Sequence, residues 1–331
     1  MPKVSVIIVN YNGRHLLDEL FESLARQTRP ADEVIMVDNA SRDGSAEYAR
    51  ARFPWVKVIT SPVNVGFTGG NNLGFENAQG EYIALLNPDA VAEEKWLAEL
   101  VQELEKDDRL GAAVSKVLLA ADKPTIDCAG AEFNNLGFSW GRGSNQLDKG
   151  QFDSVVESPS ITACATLLRR NALGGAPLFD GRLFMYYEEL DLGLRLRGNG
   201  YKILYVPTSV VCHKRSQAVK NATSKPIEFQ QFYGNRNRIK IVMKYYPTIV
   251  ILRSLPLILL SLAYWDWRFL RESGPRLFFR SLFAQAQYAL QGLTERWRGN
   301  TVKSEHWLPW MKQHSLREVL ALKSSLGAYV D

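Results

Sequence analysis

Two acidic clusters, Asn87-Pro88-Asp89 and Glu188-Glu189-Leu190-Asp191, lie far apart along the chain and offer its most evident chemistry. The first closes the apolar run Tyr82–Leu86, so Asp89 stands at the C-terminal end of a buried strand. Hard divalent cations take oxygen ligands, and a carboxylate in that place suits a metal that holds phosphates. The second cluster follows Phe184-Met185-Tyr186-Tyr187 and opens a helix-like segment over residues 190–197. A carboxylate there suits a general base acting on a hydroxyl. A held diphosphate beside a base is the equipment for moving a group from a nucleotide donor to an alcohol.

The elements that must position these groups alternate from the start. Val4–Asn10 is an apolar run, and residues 16–24 follow with leucines and a phenylalanine at helical spacing. Glu33–Asp38 is the next strand, residues 43–52 the next helix with Ser41 or Asp43 as its cap, and Val56–Thr60 the third strand. A Gly/Asn-rich turn, a short helix near residues 71–79 and the strand Tyr82–Leu86 complete the series. Repeated strand–helix units predict a mostly parallel sheet with right-handed crossovers, whose ligands bind at the strands' carboxyl ends. Asn10, Asp38 and Asp89 all lie at such ends and are expected to share one crevice. Further on, residues 93–105 read as a helix, 111–120 and 161–169 as strands, and 225–244 as a helix. An apolar stretch over 247–267 and a last helix over 276–297 follow.

Composition bounds the class. The chain has 331 residues, 46% hydrophobic and 23% charged, which suits a folded protein with a full core rather than a disordered one. Its three cysteines (Cys128, Cys164 and Cys212) are scattered with no CxxC, which argues against a disulfide framework and a structural zinc site. The apolar run at the N-terminus is too short for a secretory signal and leads straight into Tyr11-Asn12-Gly13, so it reads as a strand. The net charge of +5 conceals a split. Residues 1–213 carry 21 Lys/Arg against 28 Asp/Glu, and residues 214–303 carry 16 against 4. An acidic front and a basic, aromatic-rich back imply two surfaces, the second seeking something anionic.

Two segments speak to the donor. Val37-Asp38-Asn39-Ala40-Ser41 follows a strand, and the Asp38 carboxylate can accept the imide N–H of a pyrimidine base or simply cap the next helix. Asn64-Val65-Gly66-Phe67-Thr68-Gly69-Gly70-Asn71-Asn72-Leu73-Gly74 has glycines that allow close backbone approach and N–H groups at a helix start that favour phosphate or ribose. Alone it is a turn, and it lacks the GxGxxG spacing of a dinucleotide site.

Taken in order, Val4 to Gly13, Val37 to Ser45, Asn64 to Gly74 and Leu86 to Asp89 resemble the family 2 glycosyltransferases of GT-A fold, and among them the bacterial rhamnosyltransferase-type members. The likeness continues through Phe179-Asp180, Phe184 to Leu192, Arg195, Gly200-Tyr201 and His213, and so covers roughly residues 3–240. It implies a GT-A catalytic domain over residues 1–224 and a helical, membrane-associating extension over 225–331. It further implies that Asn10, Asp38, Asn64, Gly66, Gly70 and Asn71 bind the nucleotide. Asp89, with His213, would hold Mg2+ or Mn2+ on the diphosphate. Glu189 would be the base, with Glu188 and Asp191 shaping or supporting the site. The chain departs from the family in offering Asn87-Pro88-Asp89 where two carboxylates are usual, Glu-Glu where Glu-Asp is common, and Ala163-Cys164-Ala165 before its paired arginines.

The implied activity is an inverting transfer from a nucleotide-diphosphate sugar, dTDP-rhamnose being one candidate, to a lipid-linked or polysaccharide acceptor in cell-envelope glycan synthesis. A catalytically inactive scaffold that binds nucleotide sugar and membrane is the alternative. Nucleotidyl transfer is disfavoured because residues 10–13 offer no Gly-rich basic loop. The stretch over 247–264 contains Arg253 and Pro256 and is flanked by Lys240, Lys244, Arg268 and Arg271 with Tyr245, Tyr246, Trp265 and Trp267. Basic residues with interfacial aromatics fit a helix lying on an anionic membrane surface, with a buried helix or a span as alternatives. The expected location is the cytoplasmic face of the membrane, bound peripherally. The acidic front half and the lack of a nucleic-acid motif argue against nucleic acid as a partner.

Overall fold

Val4–Asn10 (β1) is buried along its whole length, as a strand covered on both faces by helices must be. It pairs in parallel with Glu33–Asp38 (β2) on one side and Tyr82–Leu86 (β4) on the other, and β2 pairs in parallel with Val56–Thr60 (β3). The computed structural model describes residues 2–120, 124–215, 226–299 and 302–314. The remaining strands are Ala90–Ala92 (β5), Leu110–Leu119 (β6), Thr125–Cys128 (β7), Ala131–Phe133 (β8), Ser139–Gly141 (β9), Val156–Glu157 (β10), Ala165–Arg169 (β11) and Lys202–His213 (β12). They extend the sheet in the order β10-β12-β6-β11-β4-β1-β2-β3, with β5 on β12 and β7 on β6. The strand β11 runs antiparallel to both neighbours, so the sheet is mixed beyond its parallel β4-β1-β2-β3 part. A small β8–β9 hairpin stands apart.

The helices follow from local patterns. Leu17–Ala25 (α1) buries Leu17, Leu20, Phe21 and Leu24, and Trp96–Leu104 (α4) buries Trp96, Leu97, Leu100, Val101 and Leu104, in each case one stripe against the sheet. Ser45–Arg52 (α2) starts after Gly44 in the left-handed region, with Asp43 Oδ1 accepting the Ser45 N–H at 3.1 Å.

The glycine-rich segment differs from expectation. It is not a turn before a short helix but the first turns of Gly66–Asn77 (α3). A Cβ on Gly70 would stand 2.6 Å from Val9, and one on Gly74 2.5 Å from Ile7, so the glycines let α3 lie close on β1. Packing overrides glycine's poor helix propensity. The strand expected over 161–169 is confined to β11, and the helix over 93–105 to α4.

Glu188–Gly198 (α5) lies on the sheet, and Pro226–Tyr245 (α6), Thr248–Ser273 (α7) and Pro275–Trp297 (α8) form a helical layer beside it. The division expected between residues 224 and 225 lies outside the described residues. An apolar core unites the layer with the rest: Leu190 and Leu194 of α5, Phe133, Leu136 and Phe138 near the hairpin, and Ile241, Val242, Tyr245, Tyr246 and Trp307. The charge asymmetry is partly answered inside the molecule. Lys240 and Lys244 of α6 are buried, pairing with Asp180, Asp191 and Glu295 rather than facing outward.

Candidate active site

A cavity of about 440 Å³ opens where β4, β7, β12, the start of α5 and the helical layer meet. Asp89 reaches it from the turn after β4, and His213 from the end of β12. Pairing of β12 with β5 sets His213 against Ala90, which brings the ring to its neighbour Asp89. Nε2 of His213 lies 3.1 Å from Asp89 Oδ1, and Nδ1 lies 2.7 Å from Asp127 Oδ2. The other Asp127 oxygen accepts from Arg215 Nε at 3.0 Å. Burial opposes charge on His213, yet Cys164, Asp127 and Asp89 outweigh it and lift the pKa well above the ordinary histidine value. Burial pushes the Cys164 thiol up as well. Asp127 itself, opposed by burial, is held low by His213 and Arg215. Asp127, on β7, is the orienting partner a metal-binding histidine needs.

The donor set can be tested against a cation. Asn87 also lines the cavity, and its Oδ1 is buried with no hydrogen-bond partner among the described residues. With Asp89 and His213 it makes an incomplete set of one carboxylate, one amide oxygen and one imidazole. Among the described residues no three His, Cys, Asp or Glu side chains form a closed metal cage. Such a partial set fits a hard cation held largely by phosphates and water.

Across the cavity, Glu188 and Glu189 open α5. The preceding turn is held in an unusual form, with Phe184, Tyr186 and Tyr187 all at positive φ. Two groups impose it. Asn237 of α6 directs its Nδ2 at the carbonyls of Leu183, Met185 and Tyr186 at 2.9, 2.9 and 2.8 Å. Thr68 N–H donates to Phe184 O at 3.2 Å, close enough that a Cβ on Gly66 would lie 2.4 Å from that oxygen. Burial raises both glutamates, Glu188 well above the carboxylate range, with the Glu189 charge adding to it. Glu189 receives the Ala163 backbone N–H, which favours its ionised form, whereas Glu188 Oε2 has no partner among the described residues. Burial and the neighbouring charge therefore weigh more heavily against ionisation of Glu188 than of Glu189.

Other expected residues are placed differently. Asp191 does not line the cavity. It is buried with Arg195 Nε at 2.9 Å, Tyr245 OH at 2.7 Å and Lys244 Nζ at 3.3 Å, so it clamps α5 to α6. Asn10 and Asp38 meet at the ends of β1 and β2, Nδ2 to Oδ2 at 3.5 Å, beside rather than within the cavity lining. Asn64, Gly66, Gly70 and Asn71 shape the start of α3. Asn39 staples it by donating to Asn64 Oδ1 and Gly66 O at 3.0 Å each, and Asn71 Nδ2 donates to Phe67 O at 2.9 Å. From that segment Phe67 is the residue on the cavity wall.

A curled α/β sheet with acidic groups at strand ends and a helical layer beside it defines the GT-A class. Solved structures agree. GalNAc-T7 with UDP, GalNAc and Mn2+ aligns with a TM-score of 0.59 at 18% identity, over 75% of this chain and 49% of that one. The mannosyltransferase PcManGT of Pyrobaculum calidifontis, with GDP-Man and Mn2+, aligns with a TM-score of 0.52 at 16% identity, over 89% and 87%. Residues 5–123 match the Glycosyl transferase family 2 model, and the chain is similar to rhamnosyltransferases among its relatives. It is 28% identical over 242 residues to an N-acetylglucosaminyl-diphospho-decaprenol L-rhamnosyltransferase of Mycobacterium tuberculosis, covering 64% of this chain and 76% of that protein. It is 30% identical over 125 residues to an uncharacterized glycosyltransferase of Haemophilus influenzae, spanning 37% of this chain and only 39% of that protein.

Proposed function

We propose that the protein transfers a sugar, with inversion, from a nucleotide-diphosphate donor to a hydroxyl of a lipid-linked acceptor. One observation carries this reading: the Asp89–His213 pair and the Glu188–Glu189 pair line the same cavity. Asp89, Asn87 Oδ1 and His213 Nε2 would hold Mg2+ or Mn2+, which when bound supplies charge to stabilise the departing diphosphate. Asp127 keeps the ring turned so that Nε2 faces the site. Asn10 and Asp38, at the neighbouring strand ends, would meet the nucleoside, with Asn64, Gly66, Gly70 and Asn71 shaping that wall.

Glu189, whose ionised form the Ala163 N–H favours, takes the proton of the acceptor hydroxyl. The new bond forms from that oxygen to the anomeric carbon as the bond to the diphosphate oxygen breaks. No enzyme nucleophile takes part, so the configuration inverts. The name of the mycobacterial relative describes L-rhamnosyl transfer to a sugar–diphosphate–polyprenol, and a deoxyhexose on a dTDP carrier is the donor we propose here.

The test is incubation with UDP-, GDP- and dTDP-sugars, Mg2+ or Mn2+ and a membrane lipid extract. Transfer from one donor is expected. Glu189→Gln should lower it about 10²- to 10⁴-fold with the fold intact. Because the base must be ionised and burial raises its pKa, the acid limb of the rate should lie above the ordinary carboxylate range. Nucleotide binding without turnover for every donor would remove the proposal.

A further inference from the structure

The cavity has a second wall that the reaction as described does not use. Gln230, Gln231, Gly234 and Asn235 of α6 and Trp265 of α7 line it, as Glu189 does. Gln231 is 7% exposed, and neither its Nε2 nor its Oε1 has a hydrogen-bond partner among the described residues. A buried carboxamide with both polar atoms unpaired is costly, and it is expected where a ligand completes it.

Its place says which ligand. Asp89, His213 and Asn87 mark the leaving-diphosphate end, whereas Gln231 rides on the helix whose Asn237 holds the turn that delivers Glu189. The group deprotonated by Glu189 belongs to the acceptor, so the acceptor must lie between that carboxylate and α6. A primary carboxamide both donates and accepts, which suits two adjacent hydrogen-bonding substituents on a sugar ring. Trp265 offers an aromatic face for the ring's apolar side.

We propose that Gln231 is the specificity-determining residue of an acceptor subsite, binding a pyranose ring through paired hydrogen bonds to its substituents, with Trp265 against its face. This rests on the glycosyl-transfer reading of the cavity. The test uses the full chain, n-octyl glycosides of glucose, galactose and N-acetylglucosamine as acceptors, and a Gln231→Met variant of similar length and helix propensity.

The acceptor KM of Gln231→Met should rise about tenfold or more, as expected for losing hydrogen bonds to a substrate in a dry site. Nucleotide affinity should not change, and Tm should hold or rise, because the variant removes an unpartnered buried amide. An unchanged acceptor KM, a weakened nucleotide affinity, or a fall in Tm with all kinetic effects explained by unfolding would overturn the subsite while leaving glycosyl transfer intact. Absence of transfer by the wild-type chain to every glycoside and to membrane lipid extract would overturn both.

Discussion

Residues 4–89 and residues 226–297 reach the same cavity by opposite routes. In the first region each chemical group stands at or just past the end of a strand, so its place follows from the strand alone: Asn10 closes β1, Asp38 closes β2, and Asp89 follows β4. In the second region no residue is announced by its neighbours. Asn237 acts on a turn fifty-odd residues earlier, Gln231 lines the cavity, and Lys240 and Lys244 hold Asp180 and Asp191 from inside the fold. The first region is polar at its ligand edge and apolar within. The helical layer is partly the reverse: α7 turns Ser254, Ser261 and Asp266 inward and Ile249, Leu252, Leu259 and Leu260 outward. Its neighbour α8 turns Ser281, Gln285 and Glu295 inward and Phe279, Phe283 and Leu290 outward. Among the described residues α7 is the one helix long and apolar enough to cross a membrane. A sheet-end site needs a local motif, whereas a helical support needs only the right long-range partner.

The largest test of this contrast is Glu295→Gln. The carboxylate of Glu295 lies 2.9 Å from Arg182, 3.2 Å from Lys240 and 3.0 Å from Lys244. Removing one partner of a buried ion pair costs about 3–5 kcal/mol. Chemical denaturation should show a loss of that order. A loss within noise would mean that the layer is fastened by its apolar core alone.

A smaller stability effect but a sharper functional one is expected for Asn237→Ala. It removes the side-chain donor to three carbonyls, of which Leu183 O keeps the Met185 N–H and Arg236 Nη2, and an unmet buried carbonyl costs about 1–3 kcal/mol. The turn should relax and misplace Glu189, so transfer should fall further than the loss of stability explains, as a kcat effect. Unchanged kcat would show that the turn is held by Thr68 instead.

The smallest effect concerns the outward face. We propose that this apolar surface, with exposed Arg253, Arg271, Arg276 and Arg280 around it, rests on an anionic membrane surface. Co-sedimentation with phosphatidylglycerol-containing vesicles should exceed that with neutral vesicles, and Arg271→Glu or Arg276→Glu should each weaken it by about 1 kcal/mol. Equal binding to both vesicle types would remove the electrostatic part of the reading.

The sequence by itself determined the buried strands, because runs such as Val4–Asn10 and Tyr82–Leu86 admit little else, and with them the acidic residues at their ends. It also carried the family likeness, since several short motifs stand in a fixed order. Tertiary structure alone decided the rest. The glycine-rich stretch became helix because Val9 and Ile7 leave no room for a Cβ. Asp191 went to an ion-pair clamp because α6 brings Lys244 and Tyr245 to it. Asp127 reached His213, and Gln231 the cavity, through pairings and packings across long stretches of chain. Such contacts leave no periodicity or local signature, because the energy that places each residue comes from a partner the neighbouring residues do not encode.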